Sequence, residues 1–317
     1  MAGTRRSFSE LCSLLELDQN SFDGLEQLDR QFPLIVPDAY LSRIKKGDAN
    51  DPLLLQILPQ SQELISTPGY SLDPLEEADA SPVPGLIHKY HGRVLLVASS
   101  TCAIHCRYCF RRHFPYQENR FQRNQHQQAL DYIAADPDIR EVILSGGDPL
   151  TLSNSYLRWL VESIADLPQV TTLRIHTRLP IVIPDRIDNE LLSLLTGRLK
   201  VVMVVHCNHA NELDSDVGRA MSQLATAGIT LLNQSVLLKD INDTVEALSE
   251  LSERLFECGV LPYYLHLLDA VEGAAHFDVP EEKALYLVSV LVQILPGYLM
   301  PRLVQERPGM PSKTPLF

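Results

Sequence analysis

From Arg93 onward, short apolar runs alternate with longer segments whose apolar residues fall three and four apart. The runs RVLLVAS, EVILSGG, TLRIHTR, KVVMVVH, TLLNQSVLL and YYLHLLD are rich in β-formers and read as strands. NSYLRWLVESIADL and TVEALSELSERLFECG have helical period. The strands return roughly every 30 to 40 residues, the length of one β-α unit, which predicts a parallel sheet with helices outside it. Six such units make an α/β fold read as a partial TIM-like (β/α)6 barrel, although an open doubly wound sheet carries the same alternation. The placement of polar residues favours the barrel, because barrel sites collect at the carboxyl ends of strands. Cys102, Ser145 to Asp148, His176, Arg178, His206, Gln234 and Asp269 each lie at or just past the end of a strand run.

The first 85 residues differ. SFSELCSLLEL, FDGLEQLDRQF and DPLLLQILP have the spacing of short amphipathic helices, with Pro33, Pro37, Pro52 and Pro59 as breakers. TPGYSLDPLEEADASPVPG, rich in Pro, Gly and acid, reads as an extended connector. The expected organisation is a helical N-terminal cap and connector over 1–85 and a barrel over 86–317.

Composition narrows the class. The chain has 317 residues and a net charge of -13, which disfavours a nucleic-acid footprint because phosphate binding needs clustered Lys and Arg. No apolar run approaches the ~20 residues that span a bilayer, and the N-terminus lacks the apolar stretch of a signal peptide. A cytoplasmic location is expected. Cys12, Cys207 and Cys258 are scattered without pattern, as suits a reducing compartment.

The remaining cysteines, Cys102, Cys106 and Cys109, fall in TCAIHCRYCF with spacing C-x3-C-x2-C and no fourth cysteine nearby. A cubane [4Fe-4S] cluster takes one thiolate per iron, so three ligands leave one iron open. Zinc is the competing reading, with His105 or His113 completing a Cys3His set. SGGDPL after a strand is either a tight turn with Asp148 capping the next helix or a loop whose glycines admit a ligand. His206 alone reads as a structural histidine. Gln234, polar inside an apolar run, needs a buried partner.

Taken together, HKYHGRVLLVASSTCAIHCRYCFRRHF, ILSGGDPL, TRLP, VVHCNHANE, NQSVLLKDIND, PYYLHLLDAVEGAAHF and PSKTPLF resemble the lysine 2,3-aminomutase family of radical S-adenosylmethionine (SAM) enzymes, and most closely its EpmB branch. The resemblance implies a radical SAM barrel with a C-terminal segment carrying the lysine for pyridoxal phosphate (PLP). It implies that Cys102, Cys106 and Cys109 hold the cluster and that Gly146, Gly147 and Asp148 lie along the methionine part of SAM. His206 and Gln234 match positions lining its adenosine side. Lys313, in SKTP, matches the PLP lysine, and Lys89, Tyr90 and Arg93 match positions gripping the PLP phosphate. Lys89 stands where an arginine is common, a point charge in place of a fork.

For the substrate, Arg111 matches the arginine that pairs with the lysine carboxylate in a planar fork. Asp269 and Glu306 match two acids that receive the distant ε-ammonium and repel an acidic side chain. Glu306 stands where clostridial-type enzymes carry Asp. The implied reaction moves the α-amino group of L-lysine to its β-carbon, giving (R)-β-lysine for modification of elongation factor P by a β-lysine ligase, with flavodoxin or ferredoxin as electron donor. Longer family members bind structural zinc through a cysteine-bearing tail and a further cysteine. Thr244 occupies the latter position, so no structural zinc is expected. An aminomutase for another amino acid and a non-catalytic cluster- and SAM-binding regulator are the alternatives.

Overall fold

In the computed structural model, β1 (Thr4–Arg5) and β2 (Ile35–Val36) form a small antiparallel pair. The structure describes residues 4–18, 28, 32–114 and 123–317. The helix expected in FDGLEQLDRQF lies outside these, apart from Leu28 and Phe32.

The main sheet contains β3 (Leu86–Tyr90), β4 (Arg93–Ser99), β5 (Glu141–Gly146), β6 (Thr172–Thr177), β7 (Lys200–Val205), β8 (Thr230–Val236), β9 (Leu261–His266), β10 (Arg302–Gln305) and β11 (Thr314–Pro315). Its order, β11-β10-β9-β8-β7-β6-β5-β4-β3, follows the chain without a switch point. Strands β4 to β9 are the six expected from the pattern, and all pair in parallel. The structure adds β10 as a further parallel strand and closes each edge with an antiparallel one, β3 and β11. Four residues of RLVQ and two of TP are too short for periodicity to reveal.

The two edges meet. The Tyr90 hydroxyl, on β3, donates to Glu306 Oε1, just past β10, at 3.2 Å. A flat open sheet would hold these strands far apart, so this contact identifies a sheet curled into a partial barrel. The strands show why it is hollow. Along β6, Leu173, Ile175 and Thr177 are buried, while Arg174 and His176 on the other face are only half-buried. Along β8 the same alternation turns Leu231, Asn233 and Ser235 one way and Leu232, Gln234 and Val236 the other.

Capped amphipathic helices cover the outside. Asn154–Ala165 starts at Ser153, whose side chain accepts from the Tyr156 N–H, and buries Leu157, Leu160, Val161 and Ile164. Val245–Glu257 starts at Thr244, which caps Ala247 in the same way. The helices Phe8–Leu15 and Pro52–Leu55 share one apolar cluster with Leu96, Ala103 and Leu144 of the barrel. Among the described residues no helix is long and apolar enough to cross a membrane.

Candidate active site

The chain leaves β4 into a loop carrying Cys102, Cys106 and Cys109, all reduced and all lining one cavity at the carboxyl ends of the strands. Residues before the barrel hold this loop from outside. Arg107, fully buried, donates to Glu63 through Nε at 2.9 Å and Nη2 at 2.5 Å, and to the Phe32 carbonyl at 2.7 Å. Arg112 reaches the same Glu63 carboxylate at 2.6 Å. Burial pushes Glu63 up, but Arg107 and then Arg112 outweigh it and hold the group below the usual carboxylate range. His105 Nδ1 lies 2.8 Å from the Pro33 carbonyl and its ring stacks on Phe32, while His113 Nε2 lies 3.0 Å from the Glu272 carbonyl. Both histidines are thus engaged with backbone.

The thiols themselves are crowded. Burial, followed by the charge of Cys106, pushes Cys109 up to about 11, and burial pushes Cys102 well up, with Cys109 adding to it. Arg178, just past β6, lies against them: Nη1 is 2.7 Å from Cys106 Sγ and 2.8 Å from the Tyr108 hydroxyl. Its Nη2 donates to Gln56 at 2.7 Å and to Glu212 at 2.8 Å, the latter a buried ion pair.

The SGGD turn is stitched to the root of the cysteine loop. Gly147 N donates to the Ser99 carbonyl at 2.7 Å and Asp148 N to the Thr101 carbonyl at 2.8 Å. Gly146 has φ +122°, and a Cβ there would lie 2.5 Å from the Ser99 carbonyl oxygen. The Asp148 carboxylate accepts from Thr177 Oγ1 at 2.7 Å and from the N–H groups of Arg178, Leu179 and Leu150. Its side chain works as a cap and clamp, while both glycines and Asp148 line the cavity.

Deeper in, Gln234 has its partner: its Nε2 lies 2.9 Å from His206 Nε2, both residues facing the cavity. Burial, with Arg178 next, pushes His206 down to about 3, which keeps the imidazole neutral and able to accept. At the far side, Lys313 Nζ donates to Glu306 Oε2 at 2.5 Å and stands 5.9 Å over the Tyr264 ring. Lys89 Nζ is 3.8 Å from Glu306 and donates to the Leu75 carbonyl at 2.6 Å, and Arg93 stacks over Tyr90 at 4.8 Å. Asp269 is driven up to about 7 by burial, with Glu306 adding.

A family model described as a 4Fe-4S single cluster domain matches residues 91–176. The L-lysine 2,3-aminomutase of Escherichia coli (strain K12) is 48% identical over 309 residues, 97% of this chain and 90% of that protein. The chain belongs to the lysine 2,3-aminomutase family. The Haemophilus influenzae protein of the same name is 47% identical over 96% of this chain and 90% of its own length, and that of Clostridium subterminale 37% over 97% and 74%. This aminomutase is therefore an isomerase of the radical SAM class, whose chemistry uses a [4Fe-4S] cluster, SAM and PLP.

The cavity of the aminomutase suits these groups. Among the described residues no three His, Cys, Asp or Glu side chains converge on a single ion, and a cubane does not ask them to, since each thiolate takes its own iron. His176 Nε2 and His266 Nε2, buried in the cavity wall, have no protein partner, so a polar ligand would satisfy them. Lys313, the one lysine lining the cavity among the described residues, offers an amine there.

The structure brings Cys102, Cys106, Cys109, Gly146, Gly147, Asp148, His206, Gln234, Arg111, Asp269, Glu306 and Lys313 to this one cavity. Lys89, Tyr90 and Arg93 stand behind Glu306, outside the lining. Arg111 also has a partner within the chain, since its Nε/Nη2 edge is bonded to Glu77. Sequence reasoning missed Glu63, Glu77, Glu212 and His266. His266, at the last position of the YYLH strand run, carried the strand-end signal that singled out His176 and His206; the three acids carried none.

Proposed function

We propose that this aminomutase converts L-α-lysine to (R)-β-lysine in the cytoplasm, and that a β-lysine ligase attaches the product to elongation factor P. The observation that carries the reading is the meeting of three thiols, an amine and two acids on one cavity wall: Cys102, Cys106, Cys109, Lys313, Asp269 and Glu306. Cys102, Cys106 and Cys109 would hold the cluster, whose open iron takes SAM. Gly146 and Gly147, lacking side chains, let its methionine part approach the backbone, Asp148 fixes that turn, and Gln234 with neutral His206 faces the adenosine. Lys313 would bind PLP covalently, with Lys89, Tyr90 and Arg93 serving its phosphate.

When bound, the cluster supplies one electron, SAM the group that takes hydrogen from the substrate β-carbon, and PLP a conjugated ring that spreads an unpaired electron. The protein's own residues do the rest. Asp269 and Glu306 together take the ε-ammonium, offsetting its desolvation and rejecting amino acids that end in an acid. Glu306 Oε2 is placed to hold the proton that Lys313 Nζ gives up. The buried strand ends exclude water and stray hydrogen donors, and residues 1–85 act as a cap that holds the cysteine loop against the barrel 86–317. Flavodoxin or ferredoxin would deliver the electron.

The test is an anaerobic assay of reconstituted protein with SAM, PLP, dithionite and L-lysine, followed by chiral analysis. (R)-β-lysine is the expected product; the S enantiomer, or no β-lysine from protein with full cluster and PLP content, would overturn the reading. Adding elongation factor P and the ligase should then shift the factor's mass by one β-lysyl group.

A further inference from the structure

Arg111 lies in the cavity wall two residues beyond Cys109, and Glu77 of the connector grips it from the side. Nε donates to Glu77 Oε2 at 2.8 Å and Nη2 to Glu77 Oε1 at 2.7 Å, a bidentate pair between side chains only 5% and 10% exposed. On the other edge, Nη1 donates to Ser145 Oγ at 3.1 Å and approaches the Gly146 carbonyl at 3.4 Å. The Phe110 ring lies under the guanidinium at 4.8 Å. The connector is itself tied down. Ser71 exchanges backbone hydrogen bonds with Ala270 and Glu272, beside Asp269, Lys89 holds the Leu75 carbonyl, and Glu77 N donates to Asp73.

A buried charge pair of this geometry is costly to break, because separating it leaves an uncompensated charge on each side. Arg111 is therefore not a cation waiting for its counterion. It is a guanidinium whose plane and direction are fixed before any ligand arrives, and preorganisation of that kind removes side-chain entropy from the cost of binding. The Nε/Nη2 edge is taken by Glu77.

We propose that Glu77 is a positioning residue for substrate recognition: it clamps the Nε/Nη2 edge of Arg111 and so fixes the direction in which the guanidinium meets the α-carboxylate of the amino-acid substrate. The pair is neutral as a whole. Discrimination between lysine and an amine without a carboxylate then rests on a directed hydrogen bond, not on net positive charge. The inference rests on the reading of lysine as substrate.

The test compares L-lysine with pentane-1,5-diamine, lysine without its carboxylate, on the reconstituted holoenzyme. Glu77→Ala should raise KM for lysine by about tenfold, the scale of one lost charged hydrogen bond, with kcat within about threefold of wild type. The inhibition constant of the diamine should move less than about twofold, since it makes no such bond. Glu77→Asp should recover part of the loss. In an Arg111→Ala background, Glu77→Ala should add nothing, because its effect passes through Arg111. Lysine affinity by calorimetry should follow KM. Equal shifts for both ligands, an unchanged or lower KM, or additive losses in the double variant would overturn the inference. If Glu77→Ala does not fold, the isosteric Glu77→Gln carries the same comparison. A wild-type holoenzyme that makes no β-lysine fails the functional reading instead, before any variant is compared.

Discussion

Lys313 Nζ and Glu306 Oε2 are 2.5 Å apart, and the same carboxylate accepts from Tyr90 on the opposite edge of the sheet at 3.2 Å. Burial pushes Glu306 up, yet Lys313 outweighs it and holds the group below the usual carboxylate range. One acid thus ties the lysine just before the last strand to the first strand of the barrel, at the seam where the curled sheet does not pair.

Lys313→Ala should leave a folded protein with its cluster and no covalently held PLP. The loss should appear as absence of the reducible yellow chromophore and a fall in turnover of at least about 1,000-fold, the scale expected when a covalent catalytic group is removed. Full activity in this variant would rule out the PLP assignment.

Asp269 makes the enzyme pH-dependent with a definite sign. Burial, then Glu306, raises it from the ordinary value of 3.8 to about 7, so the folded protein binds this proton more tightly than the unfolded chain. Its contribution to stability is full below pH 3.8 and is lost as pH rises through about 7. Melting temperatures of wild type relative to Asp269→Asn should therefore decline from pH 4 to pH 7 and level off above. Ammonium binding needs the ionised form, so KM for lysine should fall by about tenfold per pH unit up to neutrality. Asp269→Asn should raise KM for lysine more than for an uncharged analogue.

Gly147 tolerates no side chain. A Cβ there would lie 2.5 Å from the Thr101 carbonyl oxygen, between the SGGD turn and the cysteine loop. Gly147→Ala should cost about 1–3 kcal/mol of stability by forced backbone movement. Iron per chain after reconstitution should drop with it; an unchanged melting temperature and full iron content would refute the account.

Glu63 serves two buried arginines at once, Arg107 and Arg112. Replacing it with Gln leaves two cations without a counterion and should destabilise by about 3–5 kcal/mol. Because Glu63 titrates below the usual carboxylate range, the same stability should be lost in acid as pH falls through its folded value. Wild-type denaturation midpoints that match those of Glu63→Gln at neutral pH, and do not fall toward them in acid, would show that the network carries no stability.

Much of this site was legible before the fold was known, and the residues explain which part. Cys102, Cys106 and Cys109 announce themselves because cluster ligation needs thiolates at close, fixed spacing. His206 and Gln234 stand out as polar residues in apolar runs, and their hydrogen bond supplies the partner each needed. Arg107, by contrast, looks like any other arginine beside a cysteine. Its partner Glu63 lies 44 residues earlier in a short polar turn with no periodicity, and Glu77 lies 34 residues before Arg111 in a connector rich in acids.

By itself the sequence determined the rhythm of strand and helix, the three-thiol loop and the strand-end positions of the polar residues. These follow from local chemistry, since side-chain period and ligand spacing are properties of adjacent residues. Tertiary structure alone decided which charge faces which: Glu63 with Arg107, Glu77 with Arg111, Glu212 with Arg178, and Glu306 with both Lys313 and Tyr90. Acids and bases carry no address in the chain, and only the curling of the sheet and the packing of the segments that carry Glu63 and Glu77 bring each pair within hydrogen-bond range.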